Sequence, residues 1–149
     1  MGRIERKTAI LAKELQRYNI DIAALSETRL SGEDQLVEKD SGYTIFWSGR
    51  SEKEKRQSGV GFAVKNSLVG RIEQPVGVSD RIMKLRLPLV AGRYLSIVSV
   101  YAPTLTSSEE NVTAFYQALR STLASIPCAE SLIVLGDFNA RVGSDSHTC

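Results

Sequence analysis

Leu132-Ile133-Val134-Leu135-Gly136-Asp137-Phe138-Asn139 and its counterpart near the start, Ile22-Ala23-Ala24-Leu25-Ser26-Glu27, decide the reading of this chain. Each is a short, almost unbroken apolar run that ends in a carboxylate. A continuous run of this kind predicts a strand buried on both faces, as in a sheet covered by helices. We read strands over Ile20–Ser26 and Ser131–Gly136. A carboxylate placed directly after such a strand stands at the carboxyl rim of the sheet, where α/β proteins bind ligands. It is poorly solvated there and requires a partner.

The rest of the chain is arranged around these two strands. Ala9, Ala12 and Leu15, with Leu11 and Tyr18, recur at helical spacing and predict a helix over Thr8–Asn19. Thr28–Gly42 is polar and reads as a loop, and Tyr43–Trp47 as a short aromatic strand. Gly59–Lys65 alternates, with Val60, Phe62 and Val64 on one face and Gly61 and Ala63 on the other. The small face predicts a close approach by a neighbour. Arg81–Val90 and Tyr94–Tyr101 predict a hairpin turned at Ala91-Gly92, stopped by Pro103. Ser107–Ile126 predicts a helix, with Ser107 and Glu110 as its capping box and Pro127 at its end. Together these elements predict a mixed α/β domain. The chain opens in a helix and stops after a strand, a pattern expected of a domain without its two ends.

Composition narrows the function. The 149 residues are one domain's worth, and 42% are hydrophobic, enough for a core. Nineteen Lys and Arg against 17 Asp and Glu leave a net charge of +2, so bulk charge alone gives no reason to expect nucleic acid. No stretch approaches the roughly 18 apolar residues of a membrane span. The opening Met1–Lys7 is no secretory signal. Two cysteines, Cys128 and Cys149, predict no disulfide framework and no disulfide-linked partner, and fit a reducing, intracellular compartment. The single histidine, His147, reads as tail.

The candidate site residues follow from chemistry. Glu27 and Asp137, brought together, could hold a hard cation through oxygen. Their ordinary structural reading is that Glu27 pairs with Arg29 and Asp137 caps a turn. Asp137 and Asn139, two apart on extended backbone, point the same way and set an acceptor beside a donor. That pair suits orienting a water while holding a phosphate oxygen, or simply an Asx turn. Tyr101 ends its strand at the same rim, as a phenol donor or a half-buried core ring. Arg50–Arg56 reads as a solvated charged loop. Cys128 reads as structural rather than nucleophilic.

Four motifs occur in the order of a known superfamily: Ile22–Arg29, Ser58-Gly59-Val60-Gly61-Phe62, Val98–Pro103 and Gly136-Asp137-Phe138-Asn139-Ala140. The chain resembles the endonuclease/exonuclease/phosphatase superfamily over essentially its whole length. Ser79-Asp80-Arg81-Ile82 and Gly136–Gly143 resemble the branch of long interspersed retrotransposon endonuclease domains and their craniofacial-development-protein-like relatives. The resemblance implies a four-layer α/β/β/α sandwich with mixed sheets, incomplete here, so that residues 1–149 form a partial domain. It implies Mg²⁺-dependent (or Mn²⁺-dependent) phosphodiester hydrolysis on DNA, and hence a nuclear location. Glu27 is then the metal ligand, Asp137 positions or deprotonates the attacking water, Asn139 bonds the scissile phosphate, and Tyr101 contacts the phosphate or leaving oxygen. It also implies a first strand carrying an Asn and a C-terminal Asp-His pair, and neither has a counterpart in this sequence. Abasic-site repair, phosphatase activity, or a non-catalytic remnant or binding module are the alternatives.

Overall fold

In the computed structural model the described residues are 3–49, 58–104 and 106–138. The Arg50–Arg56 loop, residues 139–143 of the last motif with Asn139, and His147 and Cys149 therefore lie outside the described residues. The elements, in order, are α1 (Arg3–Arg17), β1 (Ile22–Ser26), β2 (Glu33–Glu38), β3 (Tyr43–Ser48), β4 (Val60–Lys65), α2 (Asn66–Val69), β5 (Val76–Gly77), β6 (Ile82–Pro88), β7 (Tyr94–Tyr101), α3 (Glu109–Ala124) and β8 (Ser131–Asp137).

They form two four-stranded sheets, ordered β1-β4-β3-β2 and β5-β6-β7-β8. The first sheet is antiparallel throughout; the second is mixed, because β8 runs parallel to β7. Three apolar layers hold four structural layers together. Phe46, Val60, Phe62 and Val64 meet Met83, Leu85 and Ile97 between the sheets. Leu11 and Leu15 of α1 cover Ala23, Leu25, Ile45 and Trp47 on the outer face of the first sheet. Phe115 and Leu119 of α3 cover Ile82, Val98 and Val100 on the outer face of the second. This is the incomplete α/β/β/α sandwich that the family resemblance implies.

Local chemistry explains the boundaries. Helix α1 is closed two residues past Arg17 by Asn19, whose left-handed φ of 53° makes a Schellman cap. Ile20 N donates to Leu15 O at 3.0 Å and Asn19 N to Gln16 O at 3.0 Å. Tyr18 turns out exposed and leaves the apolar stripe. The hairpin turns as expected, with Ala91 (φ 58°) and Gly92 (φ 71°) both left-handed, as a type I′ turn requires. Helix α3 is capped by Ser108, not Ser107: the Ser108 hydroxyl accepts from Asn111 N at 3.2 Å, satisfying one of the free amides of the first turn. Arg86, stacked 3.6 Å from the Tyr94 ring centre, bonds Glu130 (2.5 Å) and Glu73 (2.8 Å), tying β6 to the start of β8.

Two further sequence expectations need correction. Thr28–Gly42 is not all loop, since Glu33–Glu38 adds an edge strand to the first sheet. Strands β1 and β8 are not fully buried. Each has one neighbour among the described residues, β1 is half-buried, and Ile133 and Leu135 of β8 are 43% and 39% exposed.

The small face of β4 has a clear reason. A Cβ on Gly61 would lie 2.4 Å from the Phe46 carbonyl oxygen. We therefore expect Gly61→Ala to lower unfolding free energy by about 1–3 kcal/mol in urea titration. Gly70→Ala, whose new Cβ would meet nothing within 4 Å, should leave it nearly unchanged.

Candidate functional site

The two sheets present their strand ends on a common rim. Tyr101 and Asp137 are paired residues of the parallel β7–β8 ladder, so they stand side by side on adjacent strands. Ala102 N donates to Asp137 O at 2.8 Å, carrying that pairing one residue past β7. Ser26 Oγ, at the end of β1, donates to Val100 O at 3.2 Å and crosses from the first sheet to the second. Glu27 is the next residue. The end of β1 and the ends of β7 and β8 are thus brought to one place.

The Glu27 turn is backbone-built. Glu27 (φ 53°) and Arg29 (φ 57°) are both left-handed, a conformation that costs non-glycine residues about 1–3 kcal/mol and persists only where the surroundings impose it. They are imposed here by the β4 entry: Thr28 N donates to Gly59 O (3.1 Å) and Arg29 N to Ser58 O (2.9 Å). Lys7 Nζ of α1 donates to Thr28 O at 2.6 Å. Thr28 itself is buried, which leaves Glu27 and Arg29 projecting outward on either side of it.

Those two side chains pair with one another. Arg29 Nη2 lies 2.5 Å from Glu27 Oε1, with the side chains 59% and 45% exposed. The hydrogen bond to Glu27, followed by its charge, raises the Arg29 pKa above its ordinary value. The structural alternative weighed for Glu27 is therefore what the side chains do. Among the described residues no three His, Cys, Asp or Glu side chains gather closely enough to hold an ion. The described donors, with Glu27 committed to Arg29, do not complete a metal site.

Asp137 is exposed and Tyr101 is buried, with 6% of its surface accessible. Gly136 is what allows Asp137 to follow β8 so closely against β7. Its φ is 141°, and a Cβ would lie 2.0 Å from Val100 O. Between the edges of β1 and β8, unpaired among the described residues, lies a cleft of about 550 Å³, walled by Ile22, Ala24 and Leu135 and bounded at its polar end by Ser26, Gly136 and Asp137.

A further part of the rim lies on the approach to β6. Asp80-Arg81 precedes β6. The Ser58 hydroxyl donates to the Asp80 carboxylate, Gly59 N donates to Asp80 O at 3.0 Å, and the Arg81 guanidinium lies 5.1 Å from the Tyr101 ring centre. The signal was present as the motif Ser79-Asp80-Arg81-Ile82, but a motif does not show what its side chains touch.

On this two-sheet sandwich, the family model of the Endonuclease/Exonuclease/phosphatase family matches residues 3–148. The chain belongs to that family. It is 31% identical over 140 residues to craniofacial development protein 2 of Bos taurus and, equally, of Tragulus javanicus. Those matches take in 93% of this chain but 22% and 23% of the relatives, so the chain spans about a fifth of their length. Among solved structures, humanized D. rerio TDP2 has a TM-score of 0.59 at 14% identity, covering 93% of this chain and 60% of that one. D. rerio TDP2 complexed with single strand DNA product has a TM-score of 0.59 at 13% identity, covering 95% and 57%. At such identity the likeness is one of fold.

Gly136→Ala is expected to cost at least about 2 kcal/mol of unfolding free energy in urea titration, because Val100 O and the positive φ both oppose a side chain.

Proposed function

We propose that this chain is a phosphodiester-hydrolysing domain that acts on DNA as an endonuclease of retrotransposon type. The observation that carries the proposal is the meeting of the Glu27 turn, Tyr101 and Asp137 at one rim, on a chain of this family. That one of the structural relatives is described with a single strand DNA product supports a DNA substrate. A nuclear, intracellular setting follows from that substrate.

In this reading the Asp137 carboxylate accepts a proton from a water aligned on the phosphorus. The water oxygen bonds to phosphorus as the bond to the leaving oxygen breaks, and the leaving oxygen takes up a proton. Tyr101 is placed beside Asp137 to contact the phosphate or that leaving oxygen. Asn139, outside the described residues, is assigned a hydrogen bond to the scissile phosphate. Mg²⁺, or Mn²⁺, at Glu27 enters the proposal through the family alone. The Glu27–Arg29 pair favours a second reading, a non-catalytic binding module.

Nicking of supercoiled plasmid by the purified chain, with Mg²⁺ and with chelator, separates the two. A positioned general base contributes about 10²–10⁴-fold, so Asp137→Asn should lower metal-dependent nicking at least about 100-fold. Its melting temperature should shift by less than about 4 °C, because Asp137 is exposed and Asn keeps the shape of its side chain. Metal-dependent nicking that persists undiminished in Asp137→Asn removes Asp137 from the reaction. A folded wild-type chain that does not nick supports the binding module.

A further inference from the structure

The peptide unit joining Tyr101 to Ala102 is held at both of its polar ends. Its N–H, that of Ala102, donates to Asp137 O at 2.8 Å. Its carbonyl, that of Tyr101, accepts from Arg81 Nη1 at 3.1 Å. The same guanidinium lies over the Tyr101 ring, 5.1 Å from its centre, within cation–π range. Tyr101 N in turn donates to Arg81 O at 2.9 Å, so the two residues extend the β6–β7 ladder one step past its last pair, Ile82 and Val100. A bond from a charged donor to a carbonyl is among the stronger kinds, and it polarises the N–H of the same peptide toward its own acceptor.

The preceding residue reaches the other way. Asp80 accepts from the Ser58 hydroxyl through its side chain and from Gly59 N through its carbonyl. Ser58 and Gly59 are the residues whose carbonyls hold Arg29 N and Thr28 N in the Glu27 turn. Two successive residues therefore join the Glu27 turn on one side to Tyr101 and Asp137 on the other. Ser79 Oγ accepts from Arg81 N at 3.1 Å and fixes the backbone between them.

We infer that Asp80-Arg81 is a brace across the rim, and that Arg81 is the positioning residue for Tyr101, fixing at once its ring and the peptide that ties it to Asp137. The inference rests on the reading of Tyr101 and Asp137 as site residues. Lysine in place of Arg81 keeps the charge but not the planar, forked contact to ring and carbonyl.

Amide hydrogen exchange and tyrosine-ring resonances of the full 149-residue chain test the brace without requiring activity. In Arg81→Ala the Ala102 amide should exchange about tenfold or more faster, the scale of a lost charged hydrogen bond. The Tyr101 ring resonance should move. The amides of Phe62 and Leu85, in the inter-sheet core, should exchange at wild-type rates, and the Tyr43 resonance should stay in place. If Arg81→Ala does not fold, Arg81→Lys should show the same changes in smaller degree. Wild-type exchange at Ala102 with an unmoved Tyr101 resonance, in whichever variant folds, overturns the brace.

Where the wild-type chain nicks plasmid, Arg81→Ala should lower kcat with KM within about twofold, and its effect should shrink in a Tyr101→Phe background. Strict additivity of the two substitutions overturns the positioning role. A wild-type chain that does not nick defeats the hydrolase reading, and the exchange data alone then decide the brace.

Discussion

Contact between Phe46, Phe62 and Val64 on one sheet and Met83, Leu85 and Ile97 on the other is the constraint on which the rim depends. Burying a side chain of this size is worth about 1.5–3 kcal/mol, and none of these six is replaceable by a smaller one without a cavity. This layer fixes how far apart the sheets stand. That separation lets the Ser26 hydroxyl reach Val100 O, and lets Asp80 reach Ser58 and Gly59. Polar contacts between the sheets are therefore a consequence of apolar packing a few residues below them. They specify geometry more than they supply stability, since a net hydrogen bond is worth about 1 kcal/mol.

The sheets also differ in how they place their acidic ends. In the second sheet the parallel ladder does it: once β8 lies in register with β7, Asp137 must sit beside Tyr101. Gly136 is the single sequence requirement, because its backbone runs against Val100 O. In the first sheet no ladder reaches Glu27. A strained turn places it instead, and buried hydrogen bonds from Thr28 and Arg29 hold the strain. Placement by a ladder tolerates many side chains, whereas placement by a strained turn depends on specific partners.

Legibility in the sequence followed the same division. Elements with a one-sided apolar pattern were readable: the alternation of Val60, Phe62 and Val64, the Ala91-Gly92 turn, and the stripe of α3 that carries Phe115 and Leu119. Strand β2 was not, because Glu33, Asp34 and Gln35 are the exposed residues of an edge strand, where charge is favoured and mimics a loop. β1 and β8 misled in the opposite direction. Their continuous apolar runs read as fully buried, yet each has a single paired neighbour among the described residues. The strand-end carboxylates were legible from position alone. Arg81 was not: the hairpin sets it across from Tyr101, but the sequence does not show that its guanidinium turns onto that ring and carbonyl.

What the Glu27–Arg29 pair means for the site follows from what holds Glu27 in place. An exposed ion pair is screened by water and salt and contributes little to the folded state. Both side chains here are substantially exposed. The backbone around them is not: Thr28 is buried, and its amide, its carbonyl and the Arg29 amide are each hydrogen-bonded. The position of the Glu27 carboxylate is thus set by the turn, and Arg29 is only its present partner. A carboxylate fixed by its backbone and held by a readily exchanged cation remains available to a stronger one. The pair as it stands favours the binding module, and its ready exchange is what keeps the same turn compatible with hydrolysis.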